Sequence, residues 1–288
     1  MKPYVPEALA ANCRRTPEGR AWLTALPDVI RELETRWALQ LDAPFDSNDV
    51  TASWVAPARR SGQQDTVLKI GFPHMEAEHE ALGLRFWDRD PTVELVEWDD
   101  GVHALLLERC VPGTALRGEP ESVQDEVIAS LLRRLWRKPG PSHSFRPLSR
   151  MLAVWAEETR SQRSEWPDEG LVRLGLSLFA ELAEEDGEDF VLATDLHAGN
   201  VLRAEREAWL VIDPKPFVGD PAYDTTQHLF NGMPRLLADP LGTIEHFAHL
   251  VDLPSDRVRL WTLARAAAEP RADWDTDERW TLAEALAP

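Results

Sequence analysis

The chain is poor in cysteine: its 288 residues include only Cys13 and Cys110. Two cysteines form neither a disulfide framework nor a cysteine-based zinc site, which indicates a reducing, cytoplasmic environment. No apolar run approaches the roughly 20 residues needed to span a bilayer. The N-terminus has no long apolar segment after its single lysine, which argues against a secretory signal. The sequence therefore predicts neither a secreted nor a membrane protein.

Basic residues are also scarce, since 31 Lys and Arg stand against 50 Asp and Glu, for a net charge of −19. This charge disfavours nucleic acid and anionic membrane as partners. It suits a cationic small molecule, although solubility alone is the simpler explanation of the charge. Hydrophobic residues make up 43% of the chain, enough for a sizeable core and two lobes. We expect the protein to act as a monomer.

Hydrophobic patterning changes character along the chain. The first part has helical spacing over residues 7–40, followed by a mixture of predicted strands and one helix. Strands are expected at 51–56, 66–70, 93–98 and 103–108, with a helix at about 74–89. After Pro112 and Gly113 the pattern is mostly helical, interrupted by two short strands at 201–203 and 209–212. An α+β fold follows from this order. Its expected parts are a small N-lobe with an antiparallel sheet (1–107), a hinge (108–113) and a larger, mostly helical C-lobe (114–288).

The most informative motif lies between residues 193 and 213. Asp195 precedes Asn200 by five positions, and Asp213 ends an apolar strand shortly afterwards. Phosphoryl transfer needs an acceptor hydroxyl held in line and its developing charge neutralised. A loop carboxylate at Asp195 can accept the hydroxyl proton, while Asn200 and Asp213 offer the oxygen ligands that Mg²⁺ prefers. Each residue alone would more simply be a turn residue, but together they predict a phosphoryl-transfer site.

An upstream strand supplies a candidate phosphate ligand. Lys69 lies between apolar and β-branched residues, so its ammonium points away from its neighbours' face and, we expect, toward nucleotide phosphates. The alternative is a lysine exposed on a half-buried strand. Glu76 and Glu80 share one face of the next helix. We predict that Glu80 pairs with Lys69, with Glu76 as the alternative.

Two further segments contain candidate binding residues. The backbone of Glu108 and Cys110, where a buried strand runs into a turn, is a candidate for binding adenine. The Cys110 thiol itself is expected to be a packing group. Late in the chain, Glu269 and Asp273 are candidates for binding a cationic acceptor, the alternative being that they are solvated helix ends. Asp224 is expected to brace the catalytic loop by accepting backbone N–H groups.

These residues resemble the protein-kinase-like small-molecule phosphotransferases, especially the aminoglycoside O-phosphotransferases of the streptomycin 6-phosphotransferase and hydroxyurea phosphotransferase group. The segment from Asp195 to Leu202 is similar to the catalytic loop of that group, and Ile212–Asp224 to its metal-binding segment. The resemblance implies a bilobal kinase fold that binds ATP and Mg²⁺. It implies Asp195 as the catalytic base, Asn200 and Asp213 as metal ligands, and Lys69 as the phosphate anchor. A hydroxyl of a cationic antibiotic would be the acceptor.

The sequence departs from the family pattern twice. Ala193 and Thr194 stand where the family usually has His-Gly, so support for the catalytic loop must come from another residue. The expected phosphate loop, residues 45–50, contains no glycine, which makes close backbone approach to phosphate less favourable. Two alternatives therefore stay open: a kinase of another sugar or amino-alcohol metabolite, and a nucleotide-binding pseudokinase.

Overall fold

The structure is a computed structural model that describes residues 4–46, 52–60, 65–72, 75–184, 188–272, 274 and 278–288, without the side chains of residues 76 and 77. The chain divides into two compact units, Met1–Gly113 and Thr114–Pro288. Among the residues so described, no helix is both long and apolar enough to cross a membrane.

The N-terminal unit is built on a five-stranded antiparallel sheet with the order β1-β2-β3-β5-β4. Its strands are β1 (Gln40–Leu41), β2 (Ser53–Arg59), β3 (Thr66–Gly71), β4 (Leu95–Asp99) and β5 (Ala104–Glu108). Its helices are α1 (Glu7–Cys13), α2 (Pro17–Arg36) and α3 (Glu80–Trp87), the last preceded by a 3-10 turn, Met75–His79. The central strand β3 carries Lys69, whose register partners are Val55 and Leu105.

The region with helical spacing, residues 7–40, forms two helices, because the helical backbone is interrupted between α1 and α2. Thr16 has extended backbone angles, its hydroxyl accepts a hydrogen bond from the Gly19 N–H at 3.0 Å, and Pro17 begins α2. A threonine cap followed by proline at the first helical position is a helix start signal. The turn is tight enough that a Cβ at Gly19 would lie 2.0 Å from the Cys13 carbonyl oxygen.

The C-terminal unit contains eight helices among its described residues and two small antiparallel sheets, β6–β9 and β7–β8. The strands are β6 (Phe190–Leu192), β7 (Val201–Arg203), β8 (Trp209–Val211) and β9 (Phe217–Gly219). The helices are α4 (Glu121–Leu135), α5 (Leu148–Ser161), α6 (Glu169–Glu184), α7 (Pro221–Asn231), α8 (Met233–Ala238), α9 (Pro240–Val251), α10 (Ser255–Ala268) and α11 (Glu278–Leu286).

Helix α10 is central to this unit, since its residues from Trp261 to Ala268 are all buried. It packs closely against α6, where Gly175 faces Ala264, Ala267 and Ala268. Small residues on both helices allow the two backbones to approach closely. The α6–α10 pair therefore depends on the absence of a side chain at Gly175.

We predict that Gly175→Ala destabilises the C-terminal unit. The added Cβ would lie 2.8 Å from the Cβ atoms of Ala267 and Ala268. Alanine improves helix propensity by about 1 kcal/mol, but overpacking costs about 1–3 kcal/mol, so a net loss of about 1 kcal/mol is expected. Urea unfolding followed by tryptophan fluorescence measures it. Gly118→Ala is the control, because a Cβ there meets no atom within 4 Å. A Gly175→Ala variant as stable as the parent would contradict the close-packing argument.

Candidate active site

The predicted catalytic loop leaves strand β6 through a tight turn. The carbonyl of Ala193 accepts the N–H of Asp195 at 2.7 Å and the N–H of Lys215 at 2.8 Å. The loop containing Asp195 is thereby tied to the segment that follows β8. Two stretches twenty residues apart in the sequence thus meet through one carbonyl group.

Asp224 on α7 braces this turn, as predicted. Its carboxylate accepts the N–H of Ala193 at 3.0 Å, the N–H of Thr194 at 2.6 Å and the indole N–H of Trp136 at 3.1 Å. The Asp224 side chain has no exposed surface. Burial raises its pKa to about 6, against the three hydrogen bonds that favour the ionised form. Asp224 therefore provides support for the loop in which Ala193 replaces the usual histidine.

Thr194 occupies the position where the family pattern has glycine. Its φ is +51°, in the left-handed region that a β-branched residue rarely adopts. Its hydroxyl donates a hydrogen bond of 2.6 Å to the Lys215 carbonyl, and its N–H is bound by Asp224. These two contacts hold threonine in a conformation that glycine would adopt without strain.

The predicted metal ligands lie at neighbouring strand ends. Val201 of β7 is paired with Val211 of β8, and the carbonyl of Asn200 accepts the N–H of Ile212 at 2.9 Å. Asn200 and Asp213 therefore lie at the same end of the hairpin. The Asn200 side-chain amide donates to the backbone carbonyl of Asp195 at 3.0 Å. That bond uses the amide nitrogen and leaves the amide oxygen as the group that could bind a metal.

Lys215 places a positive charge beside both carboxylates of the site. Its Nζ is 2.5 Å from Oδ1 of Asp213 and 3.9 Å from Oδ2 of Asp195, and its side chain is buried. The site therefore already accommodates a cation between two acidic groups. Within the described parts of the chain, no cluster of three or more His, Cys, Asp or Glu residues could hold a metal ion. An asparagine and one carboxylate fit Mg²⁺, which usually takes few protein ligands and completes its shell with phosphate and water.

Burial and charge act in opposite directions on the loop side chains. Burial raises the pKa of Asp195, while the positive charge of Lys215 lowers it. The pKa of His197 is lowered, chiefly by burial. Its Nδ1 accepts the Gly199 N–H at 3.1 Å. This hydrogen bond agrees with the structural role expected for His197.

In the N-terminal unit, the predicted Lys69–Glu80 pair is present. Nζ of Lys69 lies 2.7 Å from Oε1 and 2.6 Å from Oε2 of Glu80, and both side chains are buried. The side chain of Glu76, the alternative partner, lies outside the described residues. A buried ammonium held by a carboxylate has a fixed position, which is what a phosphate ligand needs. Whether Lys69 binds phosphate stays a prediction.

Part of the backbone predicted to bind adenine already makes hydrogen bonds at the edge of the neighbouring strand. The Glu108 N–H donates to the Glu94 carbonyl at 2.9 Å, and the Glu108 carboxylate accepts the Glu94 N–H at 3.0 Å. The Glu108 amide is therefore not available to a base, and nucleotide binding at Glu108 and Cys110 stays a prediction. Most of the expected phosphate loop, residues 47–50, lies outside the described residues.

A cavity of about 580 Å³ lies within the C-terminal unit, and Glu269 is part of its wall. Asp273, the other predicted acceptor ligand, lies outside the described residues. Arg265, which also lines the cavity, is among the positive charges that lower the pKa of Asp195. Among its other lining residues are Gln227, Phe230, Asn231 and Arg279.

The sequence patterns gave no prediction for Arg265, although it is a charged residue at the centre of this unit. It is buried, with its guanidinium about 5 Å from the ring centres of Trp155, Tyr223 and Phe230. A lone arginine in the otherwise apolar stretch from Trp261 to Ala268, four residues before Glu269, was the available signal.

Comparison with known proteins identifies the family of this chain. Residues 36–277 match the model of the family described as aminoglycoside/hydroxyurea antibiotic resistance kinase. The chain belongs to that family. The resemblance predicted from its motifs is thus confirmed, and family membership makes the chain a phosphotransferase.

Two characterised relatives and one solved structure illustrate the match. The streptomycin 6-kinase of Streptomyces griseus is 35% identical over 301 residues, or 99% of this chain and 94% of that one. The hydroxyurea phosphotransferase of Kitasatospora aureofaciens is 35% identical over 253 residues, covering 86% and 73%. The choline kinase LicA from Streptococcus pneumoniae has a TM-score of 0.62 at 12% identity, covering 91% and 98%. This last similarity supports the protein-kinase-like fold alone.

We predict that Asp224 makes stability depend on pH. Its folded-state pKa of about 6 lies above the unfolded value of about 3.9, so the folded protein binds the proton more tightly. The contribution of Asp224 to the free energy of unfolding is therefore most favourable below about pH 4, and it is lost as the pH rises through 6. The free energy of unfolding of the wild type, minus that of Asp224→Asn, should fall by about 2 kcal/mol between pH 4 and 6.5.

Urea titrations across this pH range measure the difference, and Asp252→Asn, at an exposed aspartate, provides the baseline. Because asparagine does not titrate, the other ionisable groups cancel in the subtraction. A difference that stays constant from pH 4 to 6.5 would show that Asp224 is not a buried group of raised pKa.

Proposed function

We propose that the protein transfers the γ-phosphoryl group of ATP, with Mg²⁺, to a hydroxyl group of an aminoglycoside such as streptomycin. The observation that carries this proposal is that the loop with Asp195 and Asn200 is hydrogen-bonded to the segment with Asp213, through the carbonyls of Ala193 and Asn200. The family match and the likeness to a streptomycin 6-kinase over nearly the whole chain support it.

Each residue has a separate role in the proposed reaction. Asp195 orients the acceptor hydroxyl and takes its proton. Asn200 and Asp213 would hold Mg²⁺, which when bound would neutralise charge on the phosphates. Lys69, held by Glu80, would anchor phosphate oxygens through its ammonium.

The cavity beside Arg265 is the proposed acceptor site. It lies in the same unit as Asp195, and its wall includes the Glu269 carboxylate that a cationic acceptor requires. The net charge of −19 would favour the approach of a polycation at low ionic strength.

Hydroxyurea is a second candidate acceptor. It is favoured by the similarity to a hydroxyurea phosphotransferase, which is 35% identical over 86% of this chain. Hydroxyurea is small and neutral, whereas streptomycin is large and cationic. A comparison of the two as acceptors in the presence of Mg-ATP would distinguish them.

We predict that Asp195→Ala abolishes transfer while nucleotide binding survives. The Asn200 amide donates to the backbone carbonyl of Asp195 at 3.0 Å and to its carboxylate at 3.5 Å. The substitution removes only the longer of these two hydrogen bonds, so Asn200 should stay in place. Loss of a general base should lower kcat about 10²–10⁴-fold. ADP release with streptomycin measures transfer, and calorimetric titration measures nucleotide affinity.

The control for this experiment is Asp256→Ala, which removes a fully accessible carboxylate in the first turn of α10. Its kcat should equal that of the wild type. Transfer by Asp195→Ala at the wild-type rate would exclude Asp195 as the base.

We also predict that Asp213→Asn weakens Mg²⁺-dependent nucleotide binding by about tenfold or more, because it replaces a carboxylate ligand with a neutral amide. Asparagine is chosen because Asp213 has a φ of +53°, which asparagine tolerates. Asp252→Asn makes the same change at a φ of +60° and is the matched control. ADP titrations with and without Mg²⁺ measure the effect, and an unchanged Mg²⁺ dependence would remove Asp213 from the metal site.

A further inference from the structure

The wall of the cavity carries a charge arrangement that opposes cation binding. Oε2 of Glu269 lies 2.9 Å from Nε and 2.8 Å from Nη2 of Arg265. Its other oxygen, Oε1, lies 3.1 Å from Nη1 of Arg279 on α11. One carboxylate therefore faces two guanidinium groups, so the wall is positive at Glu269, with the exposed Glu278 further along the lining. A cationic acceptor cannot use Glu269 while both arginines remain beside it.

The two arginines are held very differently. The Arg265 side chain is 4% exposed, donates to the Thr226 hydroxyl at 2.7 Å and to the Gln227 side chain at 3.1 Å, and lies against three aromatic rings. The Arg279 side chain is 21% exposed and projects from the first turn of α11. Moving the Arg265 side chain away from Glu269 would break contacts at the buried centre of the C-terminal unit. The Arg279 side chain is partly exposed and can move with less disruption.

We propose that Arg279 occupies the place of a cationic group of the acceptor. A guanidinium or ammonium group of the acceptor replaces Arg279 at Oε1 of Glu269, while Arg265 keeps Oε2. This inference rests on the proposed function. It names Arg279 as the residue that sets affinity for cationic acceptors, and Glu269 as the carboxylate that recognises them.

The exchange conserves charge at Glu269. The Arg279 guanidinium leaves and a group of the same charge takes its place, so Oε1 keeps a cationic partner. An acceptor guanidinium would also offer the same planar donor geometry. A neutral acceptor cannot make this replacement and would gain nothing from displacing Arg279. Competition at Oε1 therefore discriminates between cationic and neutral acceptors.

The test is Arg279→Gln in the full-length protein with Mg-ATP, using streptomycin, which carries guanidinium groups, as the probe. Removing a partly exposed ion pair of about 1 kcal/mol should lower the KM and the calorimetric Kd for streptomycin about fivefold. The KM for ATP is the internal comparison and should not change, because Arg279 is not among the residues proposed to bind nucleotide. Hydroxyurea, a neutral probe, should gain no affinity.

Two further variants make the test specific. Glu269→Gln should raise the Kd for streptomycin, and adding Arg279→Gln to Glu269→Gln should bring no improvement, because the competition requires the carboxylate. Arg259→Gln on α10 is the matched control: its guanidinium is near Asp256 and the Leu286 carbonyl, and the substitution should leave affinity for streptomycin unchanged.

An unchanged or raised Kd for streptomycin in Arg279→Gln would overturn the inference, as would a gain that persists in the Glu269→Gln background. These results are distinct from failure of the proposed function. If the wild type phosphorylates streptomycin but Arg279→Gln does not bind it more tightly, only the inference fails. If the wild type phosphorylates no acceptor, the proposed function fails. The calorimetric comparison then still decides whether Arg279 competes for Glu269.

Discussion

The geometry of the catalytic loop depends on one buried carboxylate. Asp224 accepts two consecutive backbone N–H groups, those of Ala193 and Thr194, together with the indole N–H of Trp136. An ionised group without exposed surface is costly, and three donors compensate for that cost. Because the carboxylate fixes both peptide groups, it also fixes the direction in which the chain continues to Asp195.

Cations accompany the acidic groups of the C-terminal unit. Lys215 lies between Asp195 and Asp213, and Arg265 and Arg279 flank Glu269. These ion pairs reduce the electrostatic repulsion between the carboxylates of this acidic chain. On the proposal made for Arg279, binding of a cationic acceptor would be an exchange of ionic partners at Glu269.

Sequence reasoning succeeded where the signal was local. The strands β7 and β8 and the mostly helical C-terminal part could be predicted from turn residues and periodicity. It failed for β6 and β9, which are three residues long. Such strands are too short to show an alternating pattern, and pairing with a distant partner defines them. The break between α1 and α2 had a local signal in Thr16 and Pro17, which the apolar spacing on either side obscured.

By itself, the sequence determined the family and the predicted chemistry of the site: the order and spacing of Asp195, Asn200 and Asp213 predict a base and two oxygen ligands for Mg²⁺. Only the tertiary structure decided what supports and opposes those groups. Arg279 reaches Glu269 from a different helix, and Asp224 reaches Ala193 across thirty-one positions. Contacts of this kind arise from helix packing, which no pattern along a single segment encodes.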